Sequence, residues 1–154
     1  MHRNLIKFEL SQGSFKSKIE FDIATNKIIA ITGLSGSGKS TIAKVICGLI
    51  KPNNGLIKLN DKILYCSNSE TNISPNLRNI GMVFQEPRLF SHMSVRNNLL
   101  YGQRRNSELN IIKLDKIVKI LGIKDLLDRR TYNLSGGEAQ RVSIGRALLS
   151  EPEI

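Results

Sequence analysis

The chain has 154 residues, with 23 Lys and Arg against 13 Asp and Glu, and its net charge of +10 favours polyanionic partners. At 40% hydrophobic and 23% charged residues it has the composition of a globular chain with a core, which disfavours a disordered basic tail and excludes a collagen-like or mucin-like chain. The length suits one domain, and no run approaches the roughly 18 consecutive apolar residues of a membrane helix.

The opening residues, Met1-His2-Arg3-Asn4-Leu5-Ile6-Lys7, carry positive charge but no apolar core or cleavage site, so no secretory signal is read and a cytoplasmic address is expected. Cys47 and Cys66 are too few and too casually spaced for a disulfide framework or a zinc site and read as ordinary thiols. The positive residues are scattered, with local pairs at Arg104-Arg105 and Arg129-Arg130 and no stripe interleaved with aromatics. A solvated basic surface is therefore favoured over a nucleic-acid face.

In chain order, alternating polar and apolar residues at 4–10 and 17–23, broken by Ser11-Gln12-Gly13-Ser14, predict two half-buried strands paired as a hairpin. The β-branched run Lys27-Ile28-Ile29-Ala30-Ile31-Thr32 reads as a first core strand covered on both faces. Ile42, Ala43, Val45, Ile46, Leu49 and Ile50 supply the apolar face of a helix, which Lys51-Pro52-Asn53-Asn54-Gly55 stops. Strands are expected at 56–59 and 63–65, a polar loop at 67–75, and a short buried strand at 80–84. From 94 to 127 the pattern is helical, most clearly at Leu114, Ile117, Val118 and Leu121, with a polar, mobile loop expected at 102–110. A last helix opens after Leu134-Ser135-Gly136-Gly137, with Glu138 in its first turn, and runs through Ser150. No internal repeat or low-complexity tract is present.

Gly33-Leu34-Ser35-Gly36-Ser37-Gly38-Lys39-Ser40-Thr41 has the G-x4-G-K-S/T spacing between a predicted strand and a predicted helix, the context in which that pattern binds nucleoside triphosphates. Glycines let the backbone wrap a phosphate and turn successive N–H groups inward at the positive end of the helix. Lys39 is expected on the β- and γ-phosphates, the Ser40 hydroxyl on Mg²⁺, and Thr41 near the α-phosphate. Gln85 closes the apolar stretch Val83-Phe84, where its amide can ligate Mg²⁺ and hold an attacking water. Ser135, Gly136, Gly137 and Glu138 form a second glycine-opened helix start, built to present a hydroxyl and N–H groups to an anion.

These three motifs, in this order and spacing, resemble the nucleotide-binding subunit of ABC transporters, and the resemblance covers essentially the whole chain. Within that family, Arg78-Asn79-Ile80-Gly81-Met82-Val83-Phe84-Gln85-Glu86-Pro87-Arg88-Leu89-Phe90-Ser91-His92 and Asn98-Leu99-Leu100-Tyr101-Gly102 look most like the ATPase subunit of molybdate importers. The resemblance implies an α/β fold: a P-loop core with an N-terminal antiparallel β subdomain at about 1–85, an inserted helical subdomain at about 86–134, and the signature helix at 135–154. It implies ATP and Mg²⁺ as cofactors and an ATPase that drives oxyanion import. It also implies a homodimer in which Ser135, Gly136, Gly137 and Glu138 bind the γ-phosphate of ATP held by the partner subunit. A polytopic membrane permease, reached through 86–98 with Phe90 and Met93, would be the further partner, with a periplasmic or lipoprotein substrate-binding protein acting indirectly. No nucleic-acid partner is expected, and the location implied is the inner face of the cell membrane.

The chain departs from the family pattern at several points. The fifth signature residue is Glu138 rather than Gln. Phe8 and Phe15 are the nearest aromatics to the position of an adenine-stacking residue, and a core Phe is the better reading; His92 reads as a neutral surface residue. The family continues past Ile154 with an apolar strand ending in Asp-Glu, the Walker B pair, which this chain does not contain. The chain is therefore read as cut short, able to bind ATP with little or no turnover, since loss of that carboxylate costs several powers of ten by order of magnitude. The alternatives are a non-transport ABC ATPase acting on nucleic acid or the ribosome, or a non-functional gene fragment.

Overall fold

The computed structural model describes residues 3–13, 15–24, 27–103 and 113–154. Most of the predicted loop at 102–110, together with Ser14, Thr25 and Asn26, lies outside the described residues, as does the side chain of Phe15.

Alternation shapes the first half of the chain. In β1 (Arg3–Gln12) the side chains of Ile6, Phe8 and Leu10 are buried, while Lys7 and Glu9 between them face solvent. β2 (Phe15–Ala24) runs antiparallel to β1 with Gln12 opposite Phe15, so the predicted hairpin forms. β3 (Asn54–Leu59) lies on the other side of β1, placing Ile57 opposite Ile6 and Gly55 opposite Phe8. Only glycine fits there, because φ is 133° and a Cβ would run into the backbone of Lys7. β4 (Lys62–Cys66) returns through Asn60 and Asp61, both at positive φ, as a tight hairpin turn requires. β5 (Thr71–Asn72) adds two residues at the edge, and the sheet order is β2-β1-β3-β4-β5, antiparallel throughout. The segment read as a polar loop at 67–75 thus contains a short strand, followed by a 3-10 turn at Pro75–Leu77.

Two predicted strands are absent. Residues 27–32 form no strand, and Ile28, Ile29 and Ile31 are exposed, because none of the described strands lies beside them and a β-branched run without a ladder partner cannot be covered. Residues 80–84 make one main-chain bond towards the end of the chain, Gly81 N–H to Ile154 O, and Asn79 just before them accepts a second from Glu153 N–H, too few for a strand among the described residues.

The contacts divide the chain into two compact units, Met1–Arg78 and Asn79–Ile154. The first holds the sheet and α1 (Lys39–Ile46). This helix stops before Leu49 and Ile50, which the apolar pattern assigned to it. Gly48 adopts φ 80°, its N–H donates to Val45 O, and the Leu49 N–H donates to Lys44 O, so the last turn is closed by a left-handed glycine.

The second unit is helical. α2 (Val95–Gly102) starts at Ser94, whose hydroxyl accepts from the Asn97 N–H. α3 (Leu114–Leu121) carries its apolar face at the predicted spacing and ends at Gly122, φ 60°. α4 (Gly136–Leu149) is the predicted last helix. Val95 and Leu99, Ile117 and Val118, Ile123 and Leu126, and Val142 and Leu149 form one buried cluster, each large side chain contributing about 1.5–3 kcal/mol of burial. Gly145 makes the close approach possible: a Cβ there would stand 2.7 Å from Leu99 Cδ2 and 3.0 Å from Leu121 Cδ1.

Candidate functional site

The Gly-rich segment 33–38 is an exposed succession of turns leading directly into α1. Gly36 and Gly38 adopt φ values of 81° and 91°, a left-handed backbone that bulkier residues resist, and Gly38 is the residue on which α1 opens. The loop is pinned by Ser37 N–H to Leu34 O at 3.2 Å, and a Cβ on Gly33 would meet Ser37 Oγ at 2.9 Å. Lys39 reaches back along the loop, its ammonium donating to Gly33 O at 2.8 Å and to Leu34 O at 2.6 Å. Among the described residues no side chain caps the start of α1, and no acidic residue lies in its first turn. Its first N–H groups and partial positive charge are therefore not neutralised by the helix's own residues, which is what an anion requires of a helix N-terminus. Ser40 is exposed at the second position of the helix and Thr41 is half-buried at the third.

Gln85 and residues Ser135, Gly136, Gly137 and Glu138 belong to the second unit. Gln85 is exposed after the irregular stretch 80–84. α4 ties down both flanks of that position. The Gln140 side-chain N–H donates to Phe84 O at 3.3 Å, and the Arg146 guanidinium donates to Arg88 O at 2.6 Å. The start of α4 is closed by its own side chains, unlike that of α1. The Glu138 carboxylate accepts from the Ser135 N–H at 2.7 Å and from the Ser135 hydroxyl at 2.8 Å, while the Glu138 N–H donates to Ser135 Oγ at 3.3 Å. These bonds from Ser135, helped by Arg129 and Arg141, hold the Glu138 carboxyl below the usual glutamate range.

Phe8 is fully buried in the sheet, so it is a core residue and does not stack on a base. Phe90 and Met93 are half-buried; the Phe90 ring packs 4.5 Å from that of Tyr101 and lies under the Arg146 guanidinium, and the ring of exposed His92 is 5.9 Å away. The organiser of this segment is Asn98, which composition and periodicity did not single out. Wholly buried, it accepts from the Phe90 N–H at 2.8 Å and donates to Phe90 O and Ser94 O at 3.1 Å. A second such residue is Arg78, 3% exposed, whose guanidinium bonds to the carbonyls that end α1. Both residues open stretches that carry the family resemblance, but as single residues each is only a polar side chain beside an apolar run, which is too common to weigh.

An antiparallel sheet, a loop opening onto an anion-ready helix and a helical unit carrying a second glycine-opened helix start are the parts of an ABC ATPase fold. The chain belongs to the ABC transporter family, whose sequence profile matches residues 17–154. It is 45% identical over 144 residues to the molybdenum import ATP-binding protein ModC of Paramagnetospirillum magneticum, covering 93% of this chain and 39% of that protein. To the protein of the same name from Mannheimia succiniciproducens it is 51% identical over 127 residues, covering 82% of this chain and 35% of that one. The chain thus spans about two fifths of the length of the curated relatives it matches. Among solved structures, cbiO1 from Clostridium perfringens, part of the ABC transporter complex cbiONQ, superposes with a TM-score of 0.73 at 32% identity, over 97% of this chain and 62% of that one. A bacterial Atm1-family ABC exporter with ATP bound gives 0.78 at 26% identity, over 97% of this chain and 28% of that one. No helix among the described residues is long and apolar enough to cross a membrane.

Proposed function

We propose that this chain is the ATP-binding part of the ATPase subunit of an ABC importer, and that the imported solute is an oxyanion, molybdate first among them. The observation that carries the reading is the loop at 33–38, which opens onto an uncapped helix start and is backed by the Lys39 ammonium. Identities of 45% and 51% to proteins named for molybdenum import support the choice of solute.

In this reading residues 1–85 form the β subdomain and P-loop core, 86–134 the helical subdomain and 135–154 the signature helix. Gly33, Leu34, Ser35, Gly36, Ser37 and Gly38 wrap the β-phosphate with backbone N–H groups, and Lys39 exchanges its carbonyl partners for β- and γ-phosphate oxygens. The Ser40 hydroxyl, a neutral oxygen donor, suits Mg²⁺ that is also held by phosphates and water, and Thr41 sits by the α-phosphate; the Gln85 amide is a neutral oxygen donor of the same kind. When bound, Mg²⁺ would supply positive charge against that of the phosphates. Gln85 orients the attacking water.

Ser135, Gly136, Gly137 and Glu138 face the γ-phosphate of ATP on a second copy of the subunit, so two copies close head to tail around two nucleotides. At the inner face of the membrane, that closure is transmitted through 86–98 to a polytopic permease, which a substrate-binding protein loads from outside. Uptake of labelled molybdate tests the reading. Cells lacking the gene should lose high-affinity uptake and regain it on complementation with the wild-type gene but not with Lys39→Ala, whereas unchanged uptake in the deletion strain overturns the assignment of substrate.

A further inference from the structure

The C-terminal end of α1 is as heavily built as its N-terminal end is open. Arg78 is buried to 3% exposure and directs its guanidinium at the carbonyls of Val45 and Ile46, at 3.1 and 2.7 Å. The same group donates to Ile73 O at 2.8 Å and to Asn72 Oδ1 at 3.0 Å, so it bolts the end of α1 to the segment that follows β4. Gly48 leaves room for it: a Cβ there would lie 2.5 Å from Nε and 2.7 Å from Cζ. Each of these acceptors is a carbonyl or amide oxygen. The buried cation is therefore balanced by dipoles, among them the negative end of α1 itself.

We infer that Arg78 is a positioning residue for the phosphate loop, holding α1 from behind in the placement at which its first turn meets a polyphosphate; the inference rests on the reading of 33–41 given above. The physical argument is one of leverage. α1 is eight residues long, about 12 Å at 1.5 Å per residue, so a tilt at its far end displaces the N–H groups of residues 39–41 directly. Phosphate binding pulls negative charge to one end of the helix while Arg78 holds positive charge at the other. Both interactions favour the same orientation of the peptide dipoles. A lysine at position 78 keeps the charge but not the planar fork that spans four acceptors.

The test measures Mg-ATP affinity of the full-length protein by titration calorimetry for wild type, Arg78→Lys and Arg78→Met, each also in a Lys39→Ala background, at a temperature where circular dichroism shows every variant folded. Arg78→Met should weaken binding by about tenfold or more, and Arg78→Lys by less. In the Lys39→Ala background, where the ammonium that the first turn of α1 presents is already lost, Arg78→Met should lower affinity by a smaller factor than in the wild type, whereas a merely structural role would lower it by the same factor in both backgrounds. If Arg78→Met unfolds, the comparison is made with Arg78→Lys in the two backgrounds. Wild-type affinity in either Arg78 variant, or equal losses in both backgrounds, overturns the inference and leaves the phosphate loop standing. A wild-type protein that binds no Mg-ATP overturns both.

Discussion

The Lys39 ammonium lies 2.8 Å from the carbonyl oxygen of Gly33, six residues earlier in the chain, and 2.6 Å from that of Leu34. The cation is thus satisfied by two carbonyl oxygens of the loop itself. Binding a polyphosphate therefore exchanges internal bonds for phosphate oxygens and must reorganise 33–38. Amide hydrogen exchange should report this as new protection of residues 33–41 on adding Mg-ATP, with the strands at Asn54–Leu59 and Lys62–Cys66 unchanged. Protection spread evenly over the first unit would contradict a local cradle.

The start of α4 gives a prediction with a definite sign. The hydrogen bonds from Ser135 depress the folded-state pKa of Glu138 below its unfolded value. The carboxylate therefore contributes stability that is fully present above the ordinary glutamate range and lost as pH falls through the depressed value. Ser135→Ala should cost about 1 kcal/mol in urea unfolding at neutral pH, as loss of a helix cap does. Glu138→Gln should flatten the acid limb of the stability curve, and an unchanged limb would show that the capping box carries no linkage.

Packing in the helical unit is tight enough to be tested by complementary changes. Leu99→Ala removes a wholly buried side chain and should cost about 2–5 kcal/mol. Gly145→Ala places a methyl group 2.7 Å from Leu99 Cδ2 and should cost about 1–3 kcal/mol by overpacking. The double variant should be less destabilised than the two losses combined, because the new methyl enters the space that leucine vacates. Chemical denaturation of the four proteins measures the coupling.

The two thiols should separate by reactivity. Burial pushes the Cys47 thiol up, an effect that neighbouring Arg78 only partly offsets, whereas hydrogen bonds from the Ser69 side chain and backbone and from the Asn68 backbone draw the Cys66 thiol down. Iodoacetamide at mildly alkaline pH should modify Cys66 first, with Cys47 reacting only as the protein unfolds. Peptide mass mapping distinguishes this order from its reverse.

Local physics explains which features were legible in the sequence. Alternation predicted β1 and β2 because each strand has one covered face, and the i, i+3, i+4, i+7 spacing predicted α3 because its four apolar residues meet one cluster. Gly136-Gly137 followed by an acid, Glu138, in the first turn made the start of α4 visible too, while the capping box between Ser135 and Glu138 emerged only in the fold. The run at 27–32 misled because β-branched composition reports a preference for strand but cannot supply a ladder partner. Leu49 and Ile50 misled because Gly48 and the guanidinium of Arg78 end α1 before either is reached. Arg78 and Asn98 were illegible for a common reason: a buried polar side chain is defined by the backbone oxygens and N–H groups around it, and those come from segments that only folding brings together.

The central claim is that residues 33–41 hold the triphosphate of ATP. Titration calorimetry of the folded, full-length protein with Mg-ATP tests it most directly. The account predicts saturable heat in the wild type and an affinity weakened about tenfold or more in Lys39→Ala, with the circular dichroism spectrum preserved. A folded wild-type protein that gives no heat of binding, or a Lys39→Ala variant that binds as tightly as wild type, would contradict it.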